Sequence, residues 1–244
     1  MLHPMTMNVI QPNCRVQFTA EDIAFILKVL AKNGGAPSLT ALLTDPETRD
    51  LILDSDALFH ALLEQCACLR VSSHFYFYVL VRRVLRQSGI EDRSVADYVA
   101  EMLAEFSRAG RGRLVSPGRL APLDYIVDML AALQTADDGA AFCLRAHIGN
   151  HSLFLSGVFP DRIRHRTERR AAPDLRYYEQ LGRANFHAAS GHRLARRYDL
   201  AAIFDTLSTR FTKIRLALND LADRVFSLGD PDLPLRTLFK SGAP

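Results

Sequence analysis

Residues 204–225, FDTLSTRFTKIRLALNDLADRV, place Phe204, Leu207, Phe211, Ile214, Leu218, Leu221 and Val225 at alternating spacings of three and four. That spacing is the a/d seam of a coiled-coil-like helix pair. It lies in a stretch between Gly191 and Gly229 with no Pro and no Gly for 37 residues. A strand would alternate with a period of two instead. One long helix, or two with a bend near Ser208–Thr209, satisfies the pattern. The seam serves either the protein's own bundle or a homodimer through 204–225. Bundle helices use the same knobs-into-holes packing, and the bundle is the expectation.

Working outward, the helical period recurs almost everywhere and period-two alternation is nearly absent. Thr19 with Asp22 forms a capping box in which Asp replaces the usual Glu or Gln, ahead of Ile23, Ile26, Leu27 and Leu30. Asp45–Pro46 has an N-cap followed by Pro at the first helical position. Ser55 caps a helix through Leu58, Phe59, Leu62, Leu63 and Cys66, and HFYFYVLVRRVLRQ carries another from His74 to Gly89. Ser94 opens the next, through Phe106. Pro122 starts one through Leu133, Asp137 or Asp138 starts a long one ended by Pro160, and Pro173–Asp174 starts one closed by Gly191. The chain reads as all-α, a multi-helix bundle of about nine helices.

Residues 107–121, SRAGRGRLVSPGRLA, hold three Gly, one Pro and four Arg without apolar period. They read as a linker or surface loop. It separates an N-terminal helical lobe, 1–106, from a C-terminal helical bundle, 122–244, unless the two form one continuous domain.

Composition narrows the class. Of 244 residues, 48% are apolar and 23% charged, which fits a folded globular chain rather than a disordered one. No stretch approaches the roughly 18 apolar residues of a membrane span, and the amino terminus lacks the plan of a signal peptide. Four cysteines (Cys14, Cys66, Cys68 and Cys143) are sparse enough for a reducing compartment, so the expected location is cytoplasmic. Cys66 and Cys68 are two apart in a helical pattern and point in different directions, which favours packing over a metal clip. The net charge of +3 is too small to argue for a polyanion by itself.

Candidate chemistry concentrates in 137–170, DDGAAFCLRAHIGNHSLFLSGVFPDRIRHRTERR, where polar groups interrupt an apolar helix that runs into an arginine block. The candidate ligand-binding set is Arg145, His147, Asn150, His151, Arg162, Arg164 and Arg166. The first four would fix a polar ligand or partner group. The arginines would supply positive charge suited to carboxylate or phosphate. Gly149 and Gly157 inside this helix each cost about 1 kcal/mol relative to Ala, which close approach of a neighbouring helix explains better than a bound ligand.

Two rival readings come from other classes. His147 and His151, four apart on one helix face, could bind one metal ion with a carboxylate from Glu64, Glu101 or Asp124. No HExxH or paired Glu-x-x-His pattern accompanies them, so no metal ligand is assigned. The arginine block, with Arg169, Arg170 and the looser set Arg108, Arg111, Arg113 and Arg119, could bind nucleic-acid phosphates. It lacks interleaved aromatics and any nucleic-acid-binding motif. The run His74, Phe75, Tyr76, Phe77, Tyr78 points all round a helix and reads as buried core, with Tyr177, Tyr178 and His187 as further contributors. Phosphate loops, nucleophile elbows and a readable triad are missing. No reaction and no cofactor is assigned. The functional expectation is a helical ligand-binding or protein-interaction module, its partner an unidentified protein or small polar ligand.

Overall fold

The computed structural model describes residues 9–31, 36–64, 70–107, 114–115, 122–123, 126–170 and 172–227. The pair Cys66–Cys68 lies outside these residues. So do Asp124, the linker arginines Arg108, Arg111, Arg113 and Arg119, and the side chain of Arg170. The fold is all-α, as the periodicity implies. The described residues form thirteen α-helices, not about nine, with one 3-10 turn and a two-residue antiparallel pairing of β1 (Leu114–Val115) with β2 (Pro122–Leu123).

The extra helices have physical causes. Pro160 ends one helix and begins another, since a residue without an N–H fits the first helical turn, where no intrahelical partner exists. The arginine block is therefore a helix of its own. Short helices at Ala36–Thr44 and Arg193–Arg197 carry too few turns to display a period. The seam of 204–225 divides at Arg210 into two helices, close to the expected bend. The helix expected from Pro122 starts instead at Ile126, because Leu123 is paired in the short ladder.

The chain forms two compact units. The first takes the described residues from Pro12 to Ser107 and from Asp220 to Ser227. After the 3-10 turn Cys14–Gln17 come α1 (Ala20–Leu30), α2 (Ala36–Thr44), α3 (Pro46–Leu53), α4 (Asp56–Glu64), α5 (Ser73–Gln87) and α6 (Arg93–Ser107). The central element is α5, packed on α4, α6 and the 3-10 turn. Its sequence dictates that place: every residue from His74 to Arg82 is buried, so no face is left for water. At its end Gly89 adopts φ of 73° and Ile90 N–H reaches back to Leu85 O, the left-handed closure that glycine makes without steric cost. At the start of α1, Thr19 and Asp22 complete the capping box, and the fully buried Asp22 also accepts from Ser72 N–H and the Ser72 hydroxyl.

The second unit takes Val9–Gln11 and the described residues from Leu114 to Asn219. It contains α7 (Ile126–Leu133), α8 (Asp138–Val158), α9 (Pro160–Arg170), α10 (Leu175–Ser190), α11 (Arg193–Arg197), α12 (Ala201–Thr209) and the start of α13 (Phe211–Ser227). Asp137 and Asp174 cap α8 and α10 through Ala140 N–H and Tyr177 N–H. α10 packs against both α8 and α12. Phe186 is the hub, with its ring centroid 5.6 Å from that of Phe204 and 6.3 Å from that of Phe211. All seven seam residues from Phe204 to Val225 are buried within the single chain. Tyr177 and His187 depart from expectation: Tyr177 is 37% exposed and His187 exposed on the outer side of α10.

Candidate functional site

Helix α8 brings the four polar candidates together within two turns, but not on an open surface. Asn150 is 2% exposed, and Arg145 is half-buried. The His147 and His151 rings lie with centroids 6.3 Å apart and planes tilted by 35°. His147 Nε2 and His151 Nδ1 are closed to solvent. Burial, with a smaller contribution from the neighbouring His151, pushes the His147 pKa down to about 3, so the imidazole is neutral at physiological pH.

A neutral imidazole is the metal-binding form. Among the described residues, no group of three His, Cys, Asp or Glu side chains could hold a metal ion. Glu64 is exposed on α4. Glu101 is buried on α6, its two oxygens 3.5 Å from His74 Nε2 and 3.1 Å from Gln17 Nε2.

Gly149 answers the question its cost raises. A Cβ built there would come within 2.8 Å of the Phe186 ring, so the space is taken by a neighbouring helix rather than left for a ligand. The same holds at Gly157, where Leu218 stands 3.0 Å away.

The arginines lie on the next helix. Arg162, Arg164, Arg166 and Arg169 are all exposed on α9, while Ile163 between them is buried and anchors the helix. Helical spacing sorts them further. Arg162, Arg166 and Arg169 follow one another at four and three residues and share a stripe. Arg164 is on another face, joined to Asp161 at 2.8 Å. No ion pair engages Arg166 or Arg169 among the described residues. Tyr178 on α10 lies close enough for the Arg166 charge to oppose, without cancelling, the upward shift that burial imposes on its hydroxyl. From Pro160 to Arg197 the chain has ten arginines against four acidic residues.

The first unit contains a charge network that local sequence did not reveal. Arg15 binds Asp50 at 2.8 Å and Asp97 at 3.2 Å, and its guanidinium lies 5.6 Å from the centre of the Tyr78 ring. Asp54 receives Arg82 at 3.0 Å and Arg93 at 2.7 Å. Burial alone would raise the Asp54 pKa, but hydrogen bonds and charge from these two arginines outweigh it and hold the carboxyl below its ordinary value. Asp97 goes the other way, because burial exceeds the pull of Arg15. With Arg86 and Glu91 the cluster sets four arginines against four carboxylates. Its partners are distant in sequence, so spacing carries no signal of them.

No protein-family model, curated protein or solved structure matches the chain. No described helix is long and apolar enough to cross a membrane.

Proposed function

We propose that this protein is a cytoplasmic binding module whose working surface is the arginine stripe of α9, and that its partner is an acidic segment of another protein. The observation that carries the reading is the alignment of Arg162, Arg166 and Arg169 on one exposed face, with Arg166 and Arg169 held by no ion pair among the described residues. Exposed guanidinium groups lose less hydration on pairing than ammonium groups and meet carboxylates with two parallel hydrogen bonds. In this reading Arg164 steers through its charge. Arg145, His147, Asn150 and His151 belong to the helix that supports the surface rather than to the surface itself.

An acidic peptide is favoured over nucleic acid because α9 offers no Phe, Tyr or Trp for base stacking. Titration of the protein with a labelled oligoglutamate peptide, beside a labelled oligothymidylate, tests this. Saturable peptide binding that disappears on joint replacement of Arg166 and Arg169 by Glu supports the reading. Preferential binding of the oligonucleotide transfers the surface to nucleic acid, and binding of neither contradicts it.

A further inference from the structure

A second cationic feature lies elsewhere in the same unit. Leu175, Arg176, Glu179, Gln180 and Arg183 of α10 and Arg215 of α13 line an open groove of about 400 Å³, within the usual range for small-molecule sites. Its floor is fixed. Arg215, with a side chain 14% exposed, is gripped by Glu179 at 3.2 Å and donates to Asn219 Oδ1 at 3.0 Å. Asn219 is itself tied to α8, donating to Ser156 O at 2.9 Å and Gly157 O at 2.6 Å. Glu179 also accepts from the Thr212 hydroxyl. The guanidinium is thus positioned before any ligand arrives, which lowers the ordering cost of binding.

The rim is different. Arg176 and Arg183 are exposed, and neither is held by an ion pair among the described residues. They are seven residues apart, two turns or about 10.5 Å along one face of the helix. Gln180 lies between them on that face. With Glu179 already matched by Arg215 and Thr212, the groove retains an excess of two positive charges.

We propose that this groove binds a phosphomonoester dianion. Arg176 and Arg183 close on the phosphate from either end, the Gln180 amide donates from between them, and Arg215 meets it from the floor. The charge matches, since a phosphomonoester has about −1.5 to −2 at neutral pH, with three acceptor oxygens for several guanidinium forks. A carboxylate has only two. The volume beyond the phosphate, beside Leu175, is left for the organic part of a small ligand. The site is separate from the α9 stripe and uses none of its arginines.

Isothermal titration calorimetry of the full chain with phenyl phosphate, in buffer free of phosphate and sulfate, tests the assignment. Succinate serves as the dicarboxylate comparison. The expected result is saturable one-to-one binding of phenyl phosphate, tighter than succinate. Arg176→Gln and Arg183→Gln should each weaken it by about tenfold or more, while Arg224→Gln, in the other unit and in an exposed pair with Asp220, leaves it unchanged. Both replaced side chains are exposed, so the fold tolerates their loss. No saturable binding at millimolar phenyl phosphate would overturn the proposal. So would binding indifferent to Arg176 and Arg183, equal preference for succinate, or loss of binding on Arg224→Gln.

Discussion

The ring of Phe186 on α10 fills the space where a side chain at position 149 of α8 would stand, 2.8 Å from the Cβ that Gly149 lacks. This contact lets the two helix backbones close on the aromatic cluster of Phe186, Phe204 and Phe211. In an exposed helix a glycine-to-alanine change gains about 1 kcal/mol. At position 149 the clash dominates, and Gly149→Ala should destabilise the protein by about 1–3 kcal/mol, the usual cost of overpacking. Gly139, in the first turn of the same helix, meets only Asp137 Oδ1 at an ordinary 3.6 Å. Gly139→Ala should therefore keep or raise stability. Urea denaturation of the two variants checks the opposite signs.

The charge network of the first unit gives a second test. Arg82 is 3% exposed and depends on Asp54. Asp54→Ala leaves a buried guanidinium short of its partner and should cost about 3–5 kcal/mol. Arg164→Ala breaks a pair whose members are 61% and 86% exposed, and should leave the melting temperature almost unchanged. Differential scanning calorimetry distinguishes the two. Because the folded pKa of Asp54 is depressed, its contribution is present above the unfolded carboxylate pKa and is lost as pH falls through the folded value.

His147 predicts a pH dependence in a different window. In the unfolded chain its imidazole takes a proton near pH 6.5, while in the fold it stays neutral down to about 3. Between those values the unfolded state binds more protons, so stability rises with pH and is lost as pH falls below about 6.5. Relative to pH 7.5, the loss from this residue at pH 5 should be about 2 kcal/mol. His147→Gln, which cannot titrate, should lose that much less between the same two pH values in urea titrations. An equal loss in both proteins would show that His147 is not buried neutral.

Much of the fold was legible because its signals are local. The caps at Thr19, Asp45, Asp137 and Asp174 all form as their side chains suggest, since each needs only a backbone N–H two or three residues away. The burial of His74 to Tyr78 follows from apolar rings on every side of one helix. What stayed hidden is nonlocal. Arg15 and Asp97 are 82 residues apart, and nothing near either names the other. Pro160 was ambiguous because the same missing N–H both stops α8 and suits the first turn of α9. The candidate site was legible only in part. Residue types identified the polar helix and the arginine block, but whether Asn150 faced solvent or the interior depended on the helices packed around it, and it is 2% exposed.

The central claim, that the α9 stripe binds an acidic segment, is tested most directly by the fluorescence anisotropy of a labelled oligoglutamate peptide. It should be titrated with the wild-type protein and with the variant in which Arg162, Arg166 and Arg169 are all replaced by Glu, as sodium chloride rises from about 50 to about 200 mM. The account predicts saturable wild-type binding that weakens steadily with salt and is absent from the variant at every salt concentration. Binding of equal strength in both proteins, or binding insensitive to salt, would contradict it.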